Sequence, residues 1–159
     1  MRVFRLCRKH HGKNQDTALN GMGSYLIGGR WNPAGYHIAY TSETTSLALL
    51  EVLAHADLED LPDDLVVISV NIPDDVSMRV LSFKDLPANW RDVDPAPTML
   101  KQIGKTWVSQ GDELLLKVPS VIVPDEYHIL INSKHDEIKR ISGFNTEKFD
   151  IDPRLGVGL

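Results

Sequence analysis

Four glycines fall between Gly21 and Gly29 in a chain that holds eleven, and the run ends on one arginine, Arg30, followed by Trp31 and Asn32. Glycine is used where a backbone turns through positive φ or must let another group come close. Arginine offers a planar fork of donors that matches phosphate or carboxylate. Together they describe the beginning of a pocket for an anionic ligand. A carboxylate, Glu51, follows on a stretch whose neighbours Leu47, Leu49, Leu50, Val52, Leu53 and Ala54 are apolar. At 100° per residue Thr44, Ala48, Glu51 and His55 share one stripe. The apolar positions cover most of the remaining circumference, which predicts a helix buried nearly all round. Glu51 then faces either solvent or a cleft.

Each of these residues also has a plain structural explanation. Arg30 can pair with an acid at the surface. Glu51 and His55 can form an i,i+4 pair worth a few tenths of a kcal/mol. Tyr40 can be core, and Ser120, between Pro119 and Val121, the turn residue of a bent strand.

Composition narrows the classes. A chain of 159 residues with 42% hydrophobic and 25% charged content is expected to form one globular domain over 1–159. Seventeen basic against twenty-two acidic residues leave a net charge of −5, and no basic stripe suggests direct nucleic-acid binding. The longest apolar runs are about four residues, against the roughly 20 a membrane helix needs. The N-terminus has no apolar stretch of signal length, so a cytoplasmic location is expected, with no membrane contact. One cysteine, Cys7, excludes an internal disulfide and a cysteine-built zinc site; in its apolar strand pattern it reads as a small core residue. The six histidines lack the spacing of two ligands on one helical face, so no metal site is expected. Gly104-Lys105-Thr106 ends like a phosphate-binding loop, but Met99 stands where the upstream glycine is required. Gly21-Met22-Gly23 resembles a dinucleotide fingerprint, yet position 26 is leucine and no helix is expected to open there. There is no Gly-x-Ser-x-Gly elbow.

The elements that must position these groups follow from pattern. Strands are expected at Val3–Leu6, Tyr36–Thr41, Leu65–Ile72, Val76–Leu81, Glu113–Val118, Val121–Val123, Tyr127–Ile131 and Phe144–Phe149. A hairpin between Arg30 and Tyr40 is plausible. Helices are expected at Ser46–Asp57, with caps offered within Thr41–Thr45, and from Thr98 to Gln110, closed by Gly111. Leu100, Ile103, Trp107 and Val108 mark the buried side of the second. Arg8–Asn20 reads as a long polar loop, Leu58–Asp64 as an acidic one, Leu86–Trp90 and Asp94–Pro97 as loop, and the C-terminus as a Gly-rich tail. Two helices against seven or so strands predict an α+β domain with a curved or split mixed sheet.

Taken together, Gly28-Gly29-Arg30-Trp31-Asn32-Pro33-x-Gly35, Tyr40-Thr41-Ser42-Glu43, Leu47-Ala48-Leu49-Leu50-Glu51, Trp107, Val118-Pro119-Ser120 with Pro124, Ile131-Asn132 and Phe149–Leu155 closely resemble the RES domain family. The resemblance runs from Arg5 to Leu155. It implies an ADP-ribosyltransferase-like fold and a bacterial toxin neutralised by an Xre-type antitoxin. It also implies consumption of NAD⁺, as substrate with no separate cofactor, by hydrolysis, phosphorolysis or transfer of ADP-ribose to a protein acceptor. Carried over by position, the resemblance makes Arg30, Glu51 and Ser120 the catalytic group. It gives Arg5, Tyr40 and Asn132 to NAD⁺ binding, with Tyr40 against the nicotinamide. The alternatives are a transferase with a specific protein acceptor and a nucleotide-binding domain without turnover.

Overall fold

The computed structural model describes residues 1–55, 61–93 and 97–156. Seven strands form one mixed sheet: β1 (Arg2–Arg8), β2 (Ile38–Ser42), β3 (Leu65–Asn71), β4 (Met78–Val80), β5 (Leu115–Pro119), β6 (Tyr127–Asn132) and β7 (Ser142–Lys148). Their order across the sheet is β4-β5-β6-β2-β1-β3-β7. Only β4 and β5 run parallel; the other neighbours are antiparallel. Among the described residues four α-helices accompany the sheet: α1 (Gln15–Leu19), α2 (Met22–Ile27), α3 (Thr45–Leu53) and α4 (Thr98–Gln110). The class is α+β.

The sheet has a seam. β1 and β3 are paired residue for residue from Arg2↔Asn71 to Arg8↔Leu65, whereas β1 and β2 share one register pair, Phe4↔Ser42. A sheet held across its middle by one pair behaves as two half-sheets joined at a point. That is the curved or split sheet expected from the sequence.

Each face of the sheet carries its own core, because successive side chains on a strand point to opposite sides. On one side Val3, Ala39, Val70, Leu115 and Ile129 pack with Leu19. On the other Ile38, Leu116, Val118 and Leu130 pack with Trp31 and with Leu100 and Trp107 of α4. α4 has the seven-residue spacing this demands: Leu100, Gly104 and Trp107 are its buried positions, with Ile103 and Val108 partly buried beside them. α3 lies on the same side as α4, its Ala48 packed on Leu6 of β1 and Leu65 of β3.

Several elements differ from the sequence expectation. Part of the stretch Arg8–Asn20 is helical: Asn14 caps α1, its side chain accepting from the Thr17 amide at 2.9 Å while Thr17 Oγ1 accepts from the Asn14 amide at 3.2 Å. A five-residue helix is too short to display a 3.6-residue period, so the cap specifies it rather than the pattern. A helix also opens at Gly21, contrary to expectation, and α2 is closed by Gly28 at φ 76°, a conformation that a side chain would strain. No hairpin joins Arg30 to Tyr40; Gly29 and Asn32 make an isolated bridge, and β2 pairs with β1 and β6 instead. Val121–Val123 is a turn, with Ser120 Oγ accepting the Ile122 and Val123 amides at 3.1 Å each. α3 stops at Leu53 and is not buried all round: Leu47 and Ala48 are buried, while Leu50 is 38% exposed. Ala56–Asp57 of the expected helix, Leu58–Asp60 and Asp94–Ala96 of the expected loops, and 157–159 of the tail lie outside the described residues.

Cys7 is buried beside Ala18, Val66 and Ile68. Burial pushes its thiol up, against a smaller opposing pull from Arg5, and because the raised value favours the thiol, folding opposes thiolate formation as pH rises. Cys7 is therefore expected to react with an aromatic disulfide reagent in mildly alkaline buffer only at the rate of unfolding. Stopped-flow with and without denaturant measures it.

Candidate active site

Arg30 sits in the turn between α2 and β2, held by the loop at residues 90–92. Its Nη2 donates to the carbonyls of Trp90, at 2.5 Å, and Asp92, at 2.8 Å, while Nε is buried with no partner among the described residues. Burial pulls the guanidinium down from its ordinary value, with Glu51 and Asp92 pulling it back. The charge is thus partly desolvated and part of the donor fork is uncommitted, the condition in which a guanidinium acts most strongly on an anion.

The turn is locked from below. Tyr40 Oη donates to Asn32 Oδ1 at 2.6 Å and accepts the Trp31 amide at 3.2 Å. Asn32, fully buried, returns donors to the carbonyls of Ser24 and Pro33. Burial raises the Tyr40 phenol far above its usual value, the Trp31 contact opposing it, so the hydroxyl stays neutral and can donate. Ser24 ties the other side: its Oγ accepts the Ile38 amide at 2.9 Å and lies within donating reach of the Gly21, Tyr36 and Ile38 carbonyls.

Glu51 is carried by α3, which Thr44 caps by accepting the Leu47 amide; Thr44 also donates to Glu126 at 3.1 Å. Glu51 Oε1 lies 2.8 Å from Nε2 of His128, near enough for charge pairing although Nε2 makes no well-aligned hydrogen bond. Oε2 lies 3.9 Å from Nε2 of His55, an exposed ring four residues on, just past the end of α3. Burial works to raise the carboxyl, but His128, His55 and Arg30 outweigh it and leave Glu51 lowered from its ordinary 4.5. At neutral pH it is an anion.

Arg30 and Glu51 thus sense one another's charge, and Tyr40 supports the turn that presents the arginine. Ser120 is buried at the β5–β6 turn, its amide donating to the Glu126 carbonyl, two residues beyond the Val118↔His128 pair. Its Oγ accepts two amides and donates to no protein group among the described residues. The structure does not bring Arg5 and Asn132 to this cluster. Arg5 shares the α1 side of the sheet with Val3 and Cys7 and donates to the Ala18 carbonyl at 2.7 Å; burial lowers it. Asn132, four residues along β6 from His128, lies roughly 13 Å away at strand rise, and its Oδ1 accepts the Lys134 amide at 3.1 Å. Sequence reasoning missed His128 and Ser42, which meet at the seam, and Asn32 as the hub of the turn. His128 is 77 residues from Glu51 in a strand otherwise read as core, so no local spacing could reveal it.

Among the described residues no three His, Cys, Asp or Glu side chains gather as metal ligands, and no helix is long and apolar enough to cross a membrane.

The chain is a small α+β domain whose mixed sheet is split at one seam, with an arginine in the turn before β2 and a glutamate on α3. The same fold occurs in the crystal structure of the M. tuberculosis MbcT–MbcA toxin–antitoxin complex, with a TM-score of 0.72 over 98% of this chain and 86% of that one, at 16% identity. The chain matches the RES domain model over residues 2–152 and belongs to the RES domain family. It is 37% identical over 139 residues, 86% of both chains, to the "Prs ADP-ribosylating toxin" of Sphingobium sp. (strain YBL2). It is 34% identical over 156 residues, 98% of this chain and 97% of the relative, to a "Toxin Res" of Photorhabdus laumondii.

Proposed function

We propose that this protein is a toxin that consumes NAD⁺ by breaking the bond between nicotinamide and ribose. The observation that carries the reading is a partly desolvated Arg30 with an uncommitted buried Nε, within electrostatic reach of a Glu51 that His128, His55 and Arg30 hold ionised. In NAD⁺ the nicotinamide ring is a cationic pyridinium, so it departs as a neutral molecule and needs little acid help. The demanding species is the sugar cation left behind, because glycosidic cleavage passes through an oxocarbenium-like state. A fixed carboxylate beside C1′ stabilises that charge as it develops, which assigns Glu51. The open donors of Arg30 take the diphosphate or a ribose oxygen. The Tyr40 ring walls the nicotinamide end, and the Ser120 hydroxyl donates to the ribose or the amide. Water then supplies hydroxide to C1′ and releases a proton, giving ADP-ribose.

The relative named as an ADP-ribosylating toxin favours a second reading, in which a protein nucleophile takes C1′ in place of water. Mass spectrometry of modified proteins against free ADP-ribose separates the two. An antitoxin of Xre type is proposed as the partner that closes the site, in line with the fold shared with a toxin from a toxin–antitoxin complex. Co-expression with the neighbouring reading frame, scored by co-purification and restored growth, tests it.

Purified protein is expected to release nicotinamide from NAD⁺, measured by chromatography. NAD⁺ affinity without release would leave a binding domain. Arg30→Ala removes charged hydrogen bonds worth about 1.5–3 kcal/mol, so kcat/KM should fall roughly 10–100-fold. An unchanged kcat/KM would remove Arg30 from the site.

A further inference from the structure

We infer that His128 is a positioning residue for Glu51: backed by Ser42, it grips carboxylate oxygen Oε1 from inside the sheet and turns Oε2 toward the substrate. The inference rests on the function proposed above for Glu51, and it goes beyond it by assigning the two oxygens different tasks.

Both ring nitrogens have a polar neighbour. Nδ1 lies 3.1 Å from Ser42 Oγ, and Nε2 lies 2.8 Å from Glu51 Oε1. Ser42 and His128 are register partners on β2 and β6, so their side chains leave the sheet on the same side. Ser42 is also the residue that joins β2 to β1. The ring therefore stands beside the one register pair that joins the two half-sheets. The His128 side chain is 11% exposed, too enclosed to meet a substrate itself. An ionised carboxylate only accepts, so a grip on Oε1 requires the hydrogen on Nε2, and the Ser42 hydroxyl can turn to serve Nδ1 in either protonation state. Glu51 Oε2 faces His55, whose side chain is 78% exposed, which places that oxygen on the open side. The groups facing Glu51 are His128 from β6, His55 from its own helix and Arg30 from the α2–β2 turn, all able to bear positive charge. Asp92 faces Arg30.

Two readouts test this, one of them independent of turnover. Protein labelled at glutamate carboxyl carbons is titrated by NMR, with Glu51 assigned by its absence in Glu51→Gln. In His128→Phe burial is no longer opposed from inside, and the Glu51 midpoint is expected to move up; His128→Gln, which keeps an N–H at a similar reach, should restore part of the difference. In steady state with NAD⁺, His128→Phe is expected to lose about 10²-fold in kcat with little change in KM, as for a displaced catalytic group. A folded His128→Phe with an unmoved Glu51 midpoint and kcat within about twofold of wild type overturns the assignment. If His128→Phe does not fold, Ser42→Ala decides: an upward shift of Glu51 supports the grip, and an unmoved midpoint overturns it. Wild-type protein that releases no nicotinamide would end the proposed NAD⁺ function, while the titration would still decide whether His128 holds Glu51.

Discussion

Glu51→Gln is expected to abolish nearly all nicotinamide release while leaving the protein folded. Glutamine has the shape of the carboxylate without its charge, so the variant removes what the sugar cation needs and little else. Losing one preorganised electrostatic group costs roughly 2.7–4 kcal/mol, or 10²–10³ in kcat. KM for NAD⁺ should move far less, because the ground-state substrate does not yet carry the cation that Glu51 meets. Stability gives a second signature. The Glu51 carboxyl is lowered in the folded protein, so its ionised form adds stability above the unfolded value, and that stability disappears as pH falls through the folded one. Glu51→Gln should therefore melt slightly below wild type at neutral pH, with the gap closing below pH 4.5. The side chain is 34% exposed, so the gap stays small next to the kinetic loss. Near-wild-type kcat in this variant would end the proposed mechanism.

How far the sequence led depended on what each element is made of. α4 was legible because Leu100 and Trp107 repeat on one face and Gly111 stops the helix. β3 and β6 were legible because both faces of the sheet are covered, which makes Leu65–Asn71 and Tyr127–Asn132 nearly continuous apolar runs. α1 and α2 were not, since each is a turn or so long and is defined by its ends. The glycines that suggested the start of a pocket bracket a helix, Gly21 before α2 and Gly28 after it. Val121–Val123 misled in the opposite sense: three β-branched residues read as a strand, but Pro119 and Pro124 leave too little ladder, and Ser120 takes two of the amides.

At the site, residue type singled out Arg30 and Glu51 as candidates, a guanidinium after glycines and an acid on an apolar helix, and the family resemblance gave them their expected roles. Periodicity also placed His55 one turn from Glu51, where it lies. What periodicity could not supply was the inner partner. His128 is specified by the register of β6 on β2, and register is a property of the folded sheet. The same holds for Tyr40, whose hydroxyl serves the Arg30 turn through Asn32 and Trp31, a use that residue type does not disclose.

Gly104→Ala is expected to damage stability and site together. On propensity alone the change should help, since alanine exceeds glycine in a helix interior by about 1 kcal/mol. Space decides otherwise: a Cβ at position 104 would stand 1.8 Å from the Trp31 carbonyl oxygen and 2.9 Å from its carbon. The obstacle is backbone of the turn that presents Arg30, and it cannot rotate aside as a side chain would. Either α4 withdraws from Leu116 and Leu130, or residues 29–32 shift and carry the guanidinium with them. Overpacking in a core costs typically 1–3 kcal/mol, occasionally more, and contact with main chain belongs at the upper end. A net loss of about 2 kcal/mol lowers the melting temperature of a chain this size by roughly 4–8 °C, with kcat/KM for NAD⁺ falling as Arg30 is displaced. Gly23→Ala is the control. Position 23 is also helical, and nothing lies within 4 Å of its added Cβ, so propensity acts unopposed and stability should rise by about 0.5–1 kcal/mol. Calorimetry of the two variants separates fit from propensity: if Gly104→Ala also gains stability, α4 does not rest on the Arg30 turn.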